Sequence, residues 1–267
     1  MAEIIGPLRY KGSIGGISVY WNKVLKRWIA RQKGGANKNL IQNSPVFERT
    51  RENNQEFTAC NEFAKLVRNS LQEIDHLNYG YYMGDVVKQV KRLQLLDNDG
   101  TRGFRSIEPS KHKSILTDIN FNEEHPFNQV LLRHPEVISD DERQSVIVSI
   151  PQFYPYRELM WKKKFDYYRI TVTIAQIPDY SWVKVKKVYE KSNADLDKRH
   201  VTVYSDWLQP GTGIKDFSLS ASFADDAIPP EDATVLVVVG IEFATMPSKN
   251  TISWSKGDGT MKILDCL

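Results

Sequence analysis

Val235-Leu236-Val237-Val238-Val239-Gly240-Ile241 runs without the alternation of apolar and polar residues that marks a strand with one wet face. A strand covered on both faces has no need to alternate, so the run predicts the centre of a core, within a strand from Thr234 to Phe243. Working outward from it, the second half of the chain keeps a period of two. Further strands are expected over Ser145 to Ile150, Tyr167 to Ala175, Trp182 to Tyr189, Arg199 to Tyr204, Phe217 to Phe223 and Met261 to Leu264. Seven short strands separated by turn residues predict an antiparallel β-sandwich of immunoglobulin-like size over 143–267.

Towards the N-terminus the period changes from two to about 3.6. Phe57, Cys60, Ala64, Val67, Leu71 and Ile74 step by three or four, the stripe of an amphipathic helix that buries one face. Ser44-Pro45 supplies an N-cap and a proline at the first helical position. Arg49, Arg51, Glu52, Glu56 and Glu62 are expected to look outward. Val86, Val87, Val90, Leu93 and Leu96 predict a second helix from about Gly84 to Leu96, stopping at Asp97-Asn98-Asp99-Gly100. The expected class is therefore α+β. A basic β-hairpin arm occupies 1–43, a helical hairpin 44–100, a crossover region with room for one strand 101–142, and the sandwich 143–267.

The arm holds the densest chemistry. Gly12-Ser13-Ile14-Gly15-Gly16 leads into Ile17-Ser18-Val19-Tyr20-Trp21, and Lys26-Arg27-Trp28-Ile29-Ala30-Arg31-Gln32-Lys33 follows an Asn22-Lys23 turn. Two strands are expected, Tyr10 to Tyr20 with glycine bends and Leu25 to Gln32. Residues 1–47 carry eight Lys/Arg against the single acid Glu3, an excess of seven, so a net charge of +3 leaves the remainder four charges negative. Such polarity suits head-to-tail contact between copies, and it also suits nucleic acid. Trp21, Arg27, Trp28, Arg31, Lys33, Arg49 and Arg51 are the candidate residues for meeting another subunit or a polyanion.

Other motifs fall short of known chemistry. The glycine pattern is neither GxGxxG nor GxxxxGK[ST], and no helix follows at once, so it reads as a bent hairpin rather than a phosphate cradle. Counting from Asp97 places Glu108 at the twelfth position of a calcium-type loop, but Arg102 stands at the sixth, where the sharp turn requires glycine. His76, His112, His125, His134 and His200 are scattered, and Glu123, Glu124, His125 and His134 could meet at a metal only through the fold. No serine sits in GxSxG. No catalytic residue, cofactor or metal is assigned. Trp207 and Trp254 are weighed as loop aromatics for carbohydrate or peptide.

Two cysteines, Cys60 and Cys266, make a poor disulfide framework, and no window reaches the ~20 apolar residues of a membrane span. A cytoplasmic location is expected, or a place in an assembled particle. Lys11-Gly12-Ser-Ile-Gly15-Gly16, Arg31-Gln-Lys33-Gly34-Gly35, Pro45-Val-Phe47-Glu-Arg49-Thr50-Arg51-Glu52-Asn53-Asn54-Gln-Glu56-Phe57 and Val238-Val239-Gly240-Ile241-Glu242-Phe243 together resemble a group of uncharacterised bacterial proteins. The resemblance brings no assigned activity. In architecture the arm, helix and sandwich also resemble structural proteins of phage-tail-like particles. The expected role is a structural, self-assembling subunit, with a homo-oligomer or other subunits as partners. The alternative is a nucleic-acid-binding module using the same ribbon.

Overall fold

The computed structural model describes residues 2–3, 11–23, 25–211, 216–224, 228–248 and 251–267. Arg9 and Tyr10 of the expected ribbon lie outside them. The chain divides into two compact units, Met1–Arg51 and Glu52–Leu267.

The first unit is a four-stranded antiparallel sheet of β1 (Ala2–Glu3), β2 (Gly12–Ile14), β3 (Ile17–Asn22) and β4 (Arg27–Gln32), in the order β1-β4-β3-β2. It replaces the expected two-stranded hairpin. The predicted strand from Tyr10 to Tyr20 is broken because Gly15 and Gly16 have φ of +54° and +79°, a two-residue turn of the mirror-image kind that matches strand twist and that glycine adopts with no Cβ penalty. After the sheet comes α1 (Lys38–Asn43), started by Asn37, whose Oδ1 accepts the Leu40 N–H at 2.7 Å. Ser44 gives no side-chain cap. A single 3₁₀ turn at Pro45–Phe47 precedes α2 (Glu48–Ser70).

The second unit continues with a 3₁₀ segment at Gln72–Leu77 and α3 (Tyr82–Gln94), two residues ahead of the expected span. The region read as a crossover contains the short α4 (Phe127–Val130) and β5 (Glu136–Ser139). Then follow β6 (Ser145–Pro151), α5 (Pro155–Glu158), β7 (Tyr167–Pro178), β8 (Tyr180–Val183), β9 (Val188–Lys191), β10 (His200–Tyr204), β11 (Asp216–Ser222), β12 (Ala233–Ser248), β13 (Thr251–Ser253) and β14 (Gly259–Cys266). The expected strand Trp182 to Tyr189 is in fact a hairpin, β8 paired with β9, with Trp182 opposite Tyr189 and Lys187 at φ +54° in the turn.

β12 lies between β7 and β14 in the sheet β10-β7-β12, with β13 extending from its far end. The unalternating run is buried on both sides, and its two faces go to different cores. Leu236 and Val238 pack with Cys60, Phe63, Ala64 and Val67 of α2 and with Val86, Val90 and Leu93 of α3. Val235, Val237, Val239 and Ile241 pack with Val146, Val148 and Ile150 of β6 and with Phe217 and Ala221 of β11. The body therefore has three layers: helices, the β12 sheet, and a three-stranded sheet in the order β11-β6-β5.

The α2 stripe turns by one residue at its N-terminal end. Phe57, expected inside, is 56% exposed, while Glu56, expected outside, is 2% exposed. Positions 56, 59, 60, 63, 64 and 67 form the buried face, and Glu56 is tolerated there because cations and a backbone N–H meet it.

Candidate interaction surface

In an antiparallel ladder, residues directly opposite share a face and neighbours along a strand alternate. The register Ile17↔Gln32, Val19↔Ala30 and Trp21↔Trp28 therefore puts Ile17, Val19, Trp21 and Trp28 on one face of the N-terminal sheet, joined by Ile14 opposite Ile17. The register Ser18↔Arg31, Tyr20↔Ile29 and Asn22↔Arg27 puts both arginines on the other face with Tyr20. Trp21 and Trp28 meet edge to face with ring centroids 5.8 Å apart, and the Arg31 guanidinium lies 5.7 Å from the Tyr20 ring centroid. The sheet is two-faced: one side carries an apolar row in which Val19 is buried while Ile14, at 65% exposure, Ile17 and Trp21 are exposed, and the other side carries the two arginines on either side of the buried Ile29.

The seven candidate residues are thus not one cluster. Trp21 and Trp28 come together, Arg27 and Arg31 share the opposite face, and Lys33 follows the end of β4, its N–H bonded to the Gly16 carbonyl. An open hollow of about 720 Å³ at this end is lined by Gly15–Ile17 and Ala30–Lys33. Arg49 is exposed in the first turn of α2. Arg51 has a local role: its Nη1 donates to the carbonyls of Ile41 and Ser44, each at 2.8 Å, closing the C-terminal end of α1.

The second unit holds polar clusters that sequence reading passed over. Glu242, in the middle of β12, is 1% exposed, with the Arg169 Nε and Nη2 both 2.7 Å from its Oε2 and the His76 Nε2 2.9 Å from its Oε1, off the line of a straight hydrogen bond. The Arg169 guanidinium lies over the rings of Tyr204 and Trp207, 4.3 and 4.6 Å from their centroids. Trp254 rests on the His76 ring, 4.8 Å between centroids. The two tryptophans weighed as ligand platforms thus pack on the partners of Glu242. An acid inside an apolar strand was the available signal.

Glu56 makes the other buried cluster. Its Oε2 accepts from Lys91 Nζ at 2.5 Å, its Oε1 accepts from the Gly103 N–H at 2.8 Å, and Arg105 Nη1 stands 3.7 Å away. Burial pushes this carboxyl upward, but the Lys91 and Gly103 bonds outweigh it and hold the group below its ordinary value. Asp97, the first position of the calcium-type pattern, spends both oxygens on backbone: Oδ1 on the N–H of Asp99 and Gly100, Oδ2 on that of Ser106. It fastens a loop. His125 packs on Trp161, 4.6 Å between centroids, and His134 is exposed. Among the described residues no group of three or more His, Cys, Asp and Glu is placed to hold a metal, and no helix is long and apolar enough to cross a membrane. The thiols of Cys60 and Cys266 are both buried, which pushes each up to about 12.

Searches of family models, of curated proteins and of solved structures returned no match.

Proposed function

We propose that this chain is a non-enzymatic structural subunit that assembles with copies of itself, or with other subunits of a particle or filament, through its N-terminal sheet. The observation that carries the reading is the row Ile14, Ile17 and Trp21, exposed on the face opposite the arginines. Small sheets need a covering layer on their apolar face; Val19 in the middle of the row is already covered, and the exposed Ile14, Ile17 and Trp21 on either side of it are what a docking partner would cover. β2 adds an edge of three exposed residues, whose outer backbone groups offer pairing to a strand of a neighbour. The body suits a scaffold. We read it as an immunoglobulin-like sandwich, a reading supported by β5, β6 and β11 in one sheet facing β7, β10, β12 and β14 in the other. We place the chain in the cytoplasm or in an assembled particle, within the bacterial group its signatures resemble.

The test is mass in solution by light scattering after size exclusion, across a concentration series. The wild-type chain is expected to run as a defined oligomer or filament, and the combined change Ile14→Ser, Ile17→Ser and Trp21→Ser to run as folded monomer. A variant that assembles like the wild type would sink the reading.

Arg27, Arg31 and Tyr20 on one face favour a second reading, a polyanion surface. Absorbance at 260 nm in the same elution separates the two. Bound nucleic acid that salt removes, that Arg27→Ala with Arg31→Ala weakens and that Trp21→Ala on the far face leaves alone would favour it.

A further inference from the structure

The outer surface of the helix layer is not closed. Between α2 and α3 runs a groove of about 590 Å³ whose floor is Phe57, Met83, Val87 and the exposed Leu95. Its rim is cationic: Lys65, Lys88 and Arg92 line it together with Lys91, which is committed to Glu56. Apolar floor and basic rim call for an apolar segment edged with acids.

The body carries such a segment on its opposite outer layer. In the three-stranded sheet, Val137, Val146 and Val148 face the core, so Ile138 and Ile147, paired across β5 and β6, face outward, with Ile138 at 59% exposure. Glu136 stands on the same strand face as Ile138, two residues away, and the turn that joins the strands, 140–144, opens with Asp140-Asp141-Glu142. The one cation of that turn is withdrawn from it. Arg143, at φ +59°, donates to the carbonyls of Pro229, Pro230 and Ala233, so the acidic edge keeps its charge. β5 is also an edge strand of its sheet.

From this complementarity we infer that the α2–α3 groove receives the β5–β6 hairpin of a second copy. Groove and hairpin lie on opposite outer layers of one body, so the contact is head-to-tail and repeats, giving a ring or an open filament. Ile138 and Ile147 meet the apolar floor, and Glu136, Asp141 and Glu142 meet Lys65, Lys88 and Arg92. The inference rests on the self-assembly reading and adds a joint separate from the N-terminal sheet.

The experiment uses two full-length variants, one with the groove reversed (Lys65→Glu, Lys88→Glu, Arg92→Glu) and one with the hairpin reversed (Glu136→Lys, Asp141→Lys, Glu142→Lys). Each alone has like charges at the joint and is expected to associate at least about tenfold more weakly than wild type. Mixed one to one, every groove again faces a hairpin of opposite sign, and association is expected to return. That recovery also shows both variants are folded. Wild-type assembly unchanged in both variants, or not restored on mixing, overturns the inference; if the same assembly is lost on changing Ile14, Ile17 and Trp21, the self-assembly reading stands without it. A photo-crosslinker at Val87 that captures residues 136–147 of another copy supports the joint, and one that captures only a different protein overturns it. A wild-type chain that stays monomeric at every concentration overturns both readings.

Discussion

Glu56 is a carboxylate on the buried face of α2 whose ionisation is favoured by Lys91 and the Gly103 N–H over the cost of burial. A carboxyl whose folded value is depressed contributes stability above its unfolded value, and that contribution fades as pH falls through the folded value. With an ordinary value of 4.5, the contribution is fully present at neutral pH and fades below about pH 4.5. Glu56→Gln is expected to cost about 1–3 kcal/mol at pH 7, since Lys91 loses its anion, and to flatten the acid limb of stability. Urea melts of both proteins at pH 7 and pH 3.5 check this: the gap should narrow at the lower pH, and a gap that widens refutes the assignment. The same residue shows why sequence reading misses such positions. By type Glu56 belongs outside and Phe57 inside, and only the partners brought by α3 and the 103–105 loop, tens of residues away, reverse them.

At the scale of elements, the β12 run was legible because a strand with two apolar faces has few alternatives, and the α2 stripe from Cys60 to Val67 was legible because its period is unambiguous. What escaped was set by backbone conformation or by distant contact. Two successive left-handed glycines cut one predicted strand into β2 and β3, and a Lys187 turn cut another into β8 and β9. The candidate ribbon was legible as composition, but its division into an apolar and a basic face follows from register, which composition does not encode. One glycine of β12 carries a further prediction. A Cβ on Gly240 would sit 2.5 Å from Thr171 Oγ1 and 2.6 Å from Leu77 Cδ1, where the 3₁₀ segment 72–77 presses on the sheet. Gly240→Ala is expected to lose about 1–3 kcal/mol through overpacking, although alanine is the better strand residue on an open face. Trimming the neighbour in Leu77→Ala with Gly240→Ala should cost less than the sum of the two single changes. Additive losses in chemical melts would refute the contact.

For the molecule as a whole, the second unit has two apolar cores that share one wall. Val237 and Val238 are successive residues, one in each core. Val237→Ala and Val238→Ala are each expected to lower one common melting transition, by about 1–3 kcal/mol apiece, because neither core can open while the strand between them stays paired. Two separable transitions in calorimetry of the body, each moved by one substitution, would show the cores to be independent.

That shared wall bears on how long the protein lasts. Its degradation by an enzyme that must thread an extended segment depends on how often such a segment comes loose. In a body whose central strand is held by β7 on one edge, by β14 on the other and by a core on each face, partial openings leave the middle of the chain out of reach. The turnover of the body is then set by the rare opening of all three layers together.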